Sequence, residues 1–154
     1  MAAFKILVPY NFTSNDEKAV AFVIDSFFQV EDTEITLFHT YVPVPDIEVS
    51  DKTVMARLSG NLTYLRQKIY DLEQAIQDAV ERLIKAGFPK EKVHYIFKPR
   101  HKETAQEIID QALEGKFGAI VLNHNPHKIR KFFMPSISKK VSKALMHKEL
   151  YVIG

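Results

Sequence analysis

Five short β-prone runs, each separated from the next by a helix-like stretch, constrain this chain more than any other feature. The runs are Phe4 to Pro9 (FKILVP), Glu34 to Val42 (EITLFHTYV), Val93 to Lys98 (VHYIFK), Phe117 to Leu122 (FGAIVL) and Leu150 to Ile153 (LYVI). Phe4 to Pro9 is a short apolar run that suits a buried strand, and Glu34 to Val42 is β-rich. Between them, Ala19, Val20, Val23, Ile24, Phe27 and Phe28 recur at helical spacing and give a first helix to about Val30. Thr13, Ser14 and Asn15 offer N-caps for it, and Ser14 with Glu17 has capping-box spacing. Thr104 with Glu107 repeats that spacing ahead of Ile108, Ile109, Ala112 and Leu113, with Gly115 at the end. A last helix is predicted from Ser136 to about Met146.

The strongest periodicity lies between the second and third runs. Leu62, Leu65, Ile69, Leu72, Ile76, Ala79 and Leu83 recur every three and four residues, beyond a polar loop from Asp46 to about Thr53. Gly87 supplies a left-handed C-terminal cap before Pro89. A coiled-coil seam and a helix lying on a sheet both fit this face, and so few heptads favour the sheet. Strands alternating with helices predict an α/β fold: a five-stranded, mostly parallel sheet with helices on both faces. Right-handed crossovers restrict it to a doubly wound, Rossmann-like topology. Ligands of such sheets bind beyond the carboxyl ends of the strands, where strand order reverses. The candidate loops are therefore Pro9 to Ser14 and Asn123 to Pro135. No repeat or domain boundary is visible, so residues 1–154 read as one domain.

Composition excludes several chemistries. The absence of cysteine removes disulfides, thiolate metal sites and cysteine nucleophiles, and suits a reducing cytoplasm. The N-terminal apolar run soon meets Pro9 and reads as a strand and not a signal peptide. No apolar run approaches the roughly 20 residues that span a bilayer. A net charge of +2 does not by itself point to nucleic acid. Its distribution is uneven, however. From Lys116 to Lys148 there is no acidic residue, and Lys128, Arg130, Lys131, Lys139, Lys140 and Lys143 fall inside that stretch. This is either a solvated helix face or an anion-attracting surface. It lacks a nucleic-acid reading motif and interleaved aromatics, which points away from DNA or RNA.

The order of motifs resembles the universal stress protein family over nearly the whole chain. KILVPYNFTSNDEKAV is similar to that family's first strand and helix, and TLFHTYVPVP to its second strand. AIVLN, a long loop and SISKKVSKALMHKELYVIG are similar to its closing strand–loop–helix–strand. The resemblance implies strand order 3-2-1-4-5, a role in stress response, and a homodimer paired through the last strand. A short apolar edge at Leu150, Tyr151, Val152 and Ile153 also invites a symmetric partner on physical grounds.

The resemblance implies an ATP site as well, which this sequence departs from. ATP-binding members carry Gly-x-x-Gly, a spacer and then Gly-Ser or Gly-Thr after the fourth strand. Glycine lets the backbone approach phosphate, and its N–H groups form an anion-holding nest. The matching positions here are Asn123, Pro126 and Pro135, followed by Ser136, and the spacer is about one residue short. No glycine lies between Gly118 and Gly154, and proline has no N–H to donate. Asn11 stands where those members have an aspartate on the nucleoside.

Candidate ligand-binding residues are thus Pro9, Tyr10, Asn11, Thr13, His39, Asn123, His124, Asn125, Lys128, Arg130, Ser136 and Ser138. Ser136 serves equally as a plain helix cap. His124 and His127 have metal-compatible spacing but no carboxylate beside them, and read as loop imidazoles. Phe132, Phe133 and Met134 read as core or dimer-contact residues. No nucleophile elbow, zinc-helix or Walker motif is present, and nothing pairs Asp16, Asp46 or Glu48 with a base. We expect a regulatory binding module without a bound cofactor, ATP included, acting through a homodimer and protein partners. The alternative is a divergent adenine-nucleotide binder with slow ATPase activity, in which lysine and arginine side chains replace the backbone donors.

Overall fold

The computed structural model describes residues 4–44, 52–123 and 137–153. The strands are β1 (Phe4–Pro9), β2 (Thr33–Tyr41), β3 (Val93–Pro99), β4 (Ala119–Asn123) and β5 (Glu149–Ile153). The helices are α1 (Ser14–Phe27), α2 (Lys52–Lys85), α3 (Thr104–Glu114) and α4 (Ile137–Ala144), with a 3₁₀ turn at Lys90–Lys92. The sheet order is β3-β2-β1-β4-β5, and every pairing is parallel. This is the expected doubly wound arrangement.

Each strand of a two-sided sheet must feed two cores, and β1 shows how. Ile6 and Val8 face α1 and α2, where they meet Val20, Val23, Ile76 and Leu83. Leu7 faces α3 and α4, with Ile108, Ala112, Val141 and Leu145. All three β1 residues are buried, which is why the strand is apolar without alternation. Burying one such side chain contributes roughly 1.5–3 kcal/mol.

α2 ends as the sequence predicts. Gly87 takes φ +122°, Phe88 N–H reaches the Leu83 carbonyl at 3.3 Å and Gly87 N–H reaches that of Ile84 at 3.0 Å. That is the paired bonding of a Schellman motif. The expectation of a helix lying on a sheet holds for only part of α2. At 34 residues the helix is about 51 Å long, whereas the nine residues of β2 span about 30 Å. Ile76, Ala79 and Leu83 are buried against the sheet. Leu65 is exposed, and none of Leu62, Leu65, Ile69 and Leu72 joins either core cluster among the described residues. The sheet is too short to cover them.

Both predicted N-caps are displaced by one residue, and only α1 keeps a capping box. The N-cap of α1 is Thr13 and its N3 residue is Asp16, not Ser14 with Glu17. Glu17 instead pairs with Arg82 of α2 at 2.8 Å. The N-cap of α3 is Glu103, so Thr104 is already helical. Glu107 reaches past the cap to accept the Lys102 N–H at 3.0 Å. α1 ends at Phe27 and not at Val30. No helix among the described residues is long and apolar enough to cross a membrane.

Candidate functional site

Strand order reverses between β1 and β4, so the crevice opens beyond Pro9 and Asn123. On the β1 side the chain makes a tight turn. Tyr10 N–H still donates to the Phe38 carbonyl of β2 at 2.8 Å. Two residues later Phe12 adopts φ +62°, a left-handed conformation that a phenylalanine enters only when its surroundings hold it there. Two sets of contacts do so. The Phe12 ring packs edge-on against Tyr10 at 5.0 Å and against His39 at 4.7 Å. From below, the buried Asp16 carboxylate accepts the N–H of Asn11 at 3.1 Å and of Thr13 at 2.6 Å, and bonds that of Phe12 as well.

Three successive N–H groups turned toward one carboxylate make an anion nest filled by the chain's own side chain. Burial pushes the Asp16 pKa above the ordinary aspartate value, although the N–H bonds of Asn11, Thr13 and Phe12 oppose it. The return arm of the cap runs from Asp16 N–H to the Thr13 carbonyl at 3.1 Å. It leaves the Thr13 hydroxyl without a partner among the described residues. Asp16, read from sequence as an acid with no base, is thus a structural acceptor.

His39 stands on β2 beside this turn. Its Nδ1 lies 2.8 Å from the Tyr10 carbonyl, which can only accept, so Nδ1 carries the proton and Nε2 the lone pair. The ring stacks on Phe97 of β3 at 5.7 Å. Burial lowers its pKa, the Tyr10 carbonyl opposes that, and the Arg100 charge adds to the lowering, so the imidazole is neutral near pH 7. Arg100 follows β3, donates its backbone N–H to the Tyr41 carbonyl at 2.7 Å and reaches the Thr104 hydroxyl with Nη1 at 3.3 Å. Together Pro9, Asn11, His39, Arg100 and Thr104 line a cleft of about 90 Å³ at the carboxyl edge. A larger hollow of about 310 Å³, around Phe28, Asp32 and Phe88, opens at the opposite edge, away from the switch point.

The structure brings together Pro9, Asn11 and His39 of the sequence-predicted residues. It turns Tyr10 inward, where its hydroxyl accepts from Arg82 Nη2 at 3.1 Å. Thr13 caps α1, Asn123 ends β4 and Ser138 falls in the first turn of α4. His124, Asn125, Lys128, Arg130 and Ser136 lie outside the described residues, as do His127, Phe132, Phe133 and Met134. Sequence reasoning missed Arg100 and Thr104. The same carboxyl-end rule that selected the loops after β1 and β4 also covers the loop after β3. Among the described residues no three His, Asp or Glu side chains gather as metal ligands.

The fold and this site can be set beside known proteins. The structure is similar to that of hypothetical protein MJ0577, with TM-score 0.71 and 19 % identity, covering 99 % of this chain and 96 % of that one. It is similar to universal stress protein UspA from Lactobacillus plantarum, with TM-score 0.65, 17 % identity and all of both chains covered. The universal stress protein from Archaeoglobus fulgidus in complex with dAMP gives TM-score 0.63 and 17 % identity, again over all of both chains. At these identities the likeness carries the fold alone. No curated protein matches the sequence. The model of the universal stress protein family matches residues 3–145. A match over that much of the sequence, on a sheet of this order, makes the chain a member of the universal stress protein family.

Proposed function

We propose that this protein is a stress-response binding module that does not hold ATP through the family's glycine loop. The observation that carries the reading is the turn after β1, whose N–H groups at Asn11, Phe12 and Thr13 already serve the Asp16 carboxylate. The backbone donors of this turn, where ATP-binding relatives contact the nucleoside, are thus already engaged by the chain's own carboxylate. The sequence adds Pro126 and Pro135 where relatives keep glycines, which removes two more donors. The cleft of about 90 Å³ is also well below the roughly 300 Å³ at which small-molecule sites begin. On this reading the module works as a homodimer paired through the free edge of β5, at Leu150, Tyr151, Val152 and Ile153, and through protein partners. Within the sheet β5 pairs with β4 on one side, and Val152 is exposed.

A second reading has one specific support. Arg100 brings a guanidinium to the cleft edge beside a neutral His39, and the Archaeoglobus fulgidus relative is a complex with dAMP. In this version Arg100, with Lys128 and Arg130, holds an adenine nucleotide by side-chain charge. Isothermal titration with ATP and magnesium separates the two. We expect no binding tighter than about 1 mM, which is about −4 kcal/mol. A micromolar constant overturns the first reading, and its loss in Arg100→Glu would establish the second.

A further inference from the structure

The overhang of α2 carries a seam of a different kind from the part that lies on the sheet. Met55, Leu58, Leu62, Leu65, Ile69, Leu72, Ile76, Ala79 and Leu83 alternate at steps of three and four without a break. That is a strict 3.5-residue period, and it fills both apolar positions of every heptad from Met55 to Leu83. Where α2 lies on the sheet, the apolar face widens to include Val80 and Ile84, which pack against the core. Before Ile76 the seam is flanked by Ser59, Asn61, Arg66, Lys68 and Glu73. A narrow stripe with charged flanks suits a partner helix, and a broad one suits a sheet.

We propose that residues 52–75 of α2 pair with the same segment of a second copy as an antiparallel two-stranded coiled coil. Three constraints select this occupant and this register. First, the a/d face at Ile76, Ala79 and Leu83 is already covered by the chain's own sheet. A parallel partner in register would meet a second sheet on that same face. Second, an antiparallel pairing with Leu62 opposite Leu65 of the partner subunit brings Ile69 and Leu72 over the first two turns of the partner helix. The partner helix then begins, at Lys52, opposite Ala75, one residue short of where the sheet takes over. The overhang of about 36 Å is filled from end to end. Third, charges agree. This register places Ser59 opposite Arg66 of the partner subunit and Asn61 opposite Lys68 of the partner subunit, each twice by symmetry, so no like charges meet. Sliding by one heptad step would set Arg66 against itself and Lys68 against itself.

The chain has no cysteine, so the register can be read by disulfide trapping. Leu62→Cys and Leu65→Cys are made separately, and the full-length proteins are oxidised alone and as an equimolar mixture. We expect the mixture to give several-fold more cross-linked dimer than either variant alone. Equal cross-linking of each variant with itself, or none in the mixture, overturns the proposal. Ile69→Glu, at a site outside both cores, should halve the mass measured by light scattering while the circular dichroism spectrum is kept. Halving is expected whether or not β5 also pairs, and an unchanged mass overturns the proposal.

Discussion

Replacing Asp16 by alanine should cost the protein about 2–3 kcal/mol, although Asp16 touches no ligand in our reading. The figure comes from what its carboxylate holds. The N–H groups of Asn11 and Thr13, at 3.1 and 2.6 Å, and that of Phe12 lose their acceptor together. Unsatisfied donors cost about 1–3 kcal/mol each, and this turn is only part-buried, so water recovers some of it and the lower end applies. Three donors at about 1 kcal/mol give about 3 kcal/mol. Removing a buried charge returns part of that, because burial disfavours the ionised form of Asp16. The left-handed Phe12 works the other way, since its strain of about 1–2 kcal/mol is tolerated only while the cage is intact. Urea titration followed by circular dichroism measures the sum. With a slope of about 2 kcal/mol per molar, the midpoint should fall by about 1–1.5 M. A loss below about 1 kcal/mol would mean that the turn does not depend on this carboxylate.

Asp16→Asn tests the same cage through pH. The folded chain keeps the Asp16 proton to higher pH than the unfolded chain does, because the folded value is raised. Between the ordinary aspartate value and that raised value the unfolded state binds fewer protons, so stability falls as pH rises. Relative to Asp16→Asn, the natural protein should therefore lose stability through that range and run parallel to it above. The opposite slope would show that hydrogen bonding outweighs burial at this site.

Two other positions are open to direct measurement. Gly87→Ala should destabilise by about 2–3 kcal/mol in thermal or urea unfolding, because φ +122° is closed to a Cβ. The new atom would also lie 2.3 Å from Phe28 Cε2, but that ring is half exposed and can swing away, so a loss under about 1 kcal/mol would refute the backbone argument. His39 has a lowered folded value, so between that value and the ordinary histidine value the unfolded chain is protonated and the folded chain is not. Stability should fall as pH drops through this range in the natural protein and stay level in His39→Gln; equal pH profiles would refute it.

The sheet was legible because its central strands, β1 and β4, are read by both faces. Ile6, Leu7 and Val8 had to be apolar together, and no helix needs that. The caps were less legible because Thr13-x-x-Asp16 and Ser14-x-x-Glu17 satisfy the same pattern one residue apart. What decides between them is burial: the short Asp16 arm folds back under the turn, and Glu17 leaves for Arg82 across the interhelical gap. The cleft was half legible. Asn11 and His39 were found from the carboxyl-end rule, whereas Arg100 and Thr104 sit in a loop with no motif of its own and are brought in by the β2–β3 register. His39 pairs with Phe97 there, which carries the chain three residues later to the cleft edge.

The long helix and the cleft belong to one end of the molecule, and this follows from topology alone. α2 connects the carboxyl end of β2 to the amino end of β3, so it runs against the strands. Its C-terminal turns cover the sheet, and its surplus length must project past the carboxyl edge, where Asn11, His39 and Arg100 stand. A helix longer than the layer beneath it exposes its seam unless another surface takes that seam up. In the register proposed above, the Lys52 end of the partner helix stops opposite Ala75, close to that same edge. Access to the cleft and association of two copies are then set by the same few turns of helix. A sequence that kept the cleft residues and shortened α2 to the length of the sheet would lose the second property while keeping the fold.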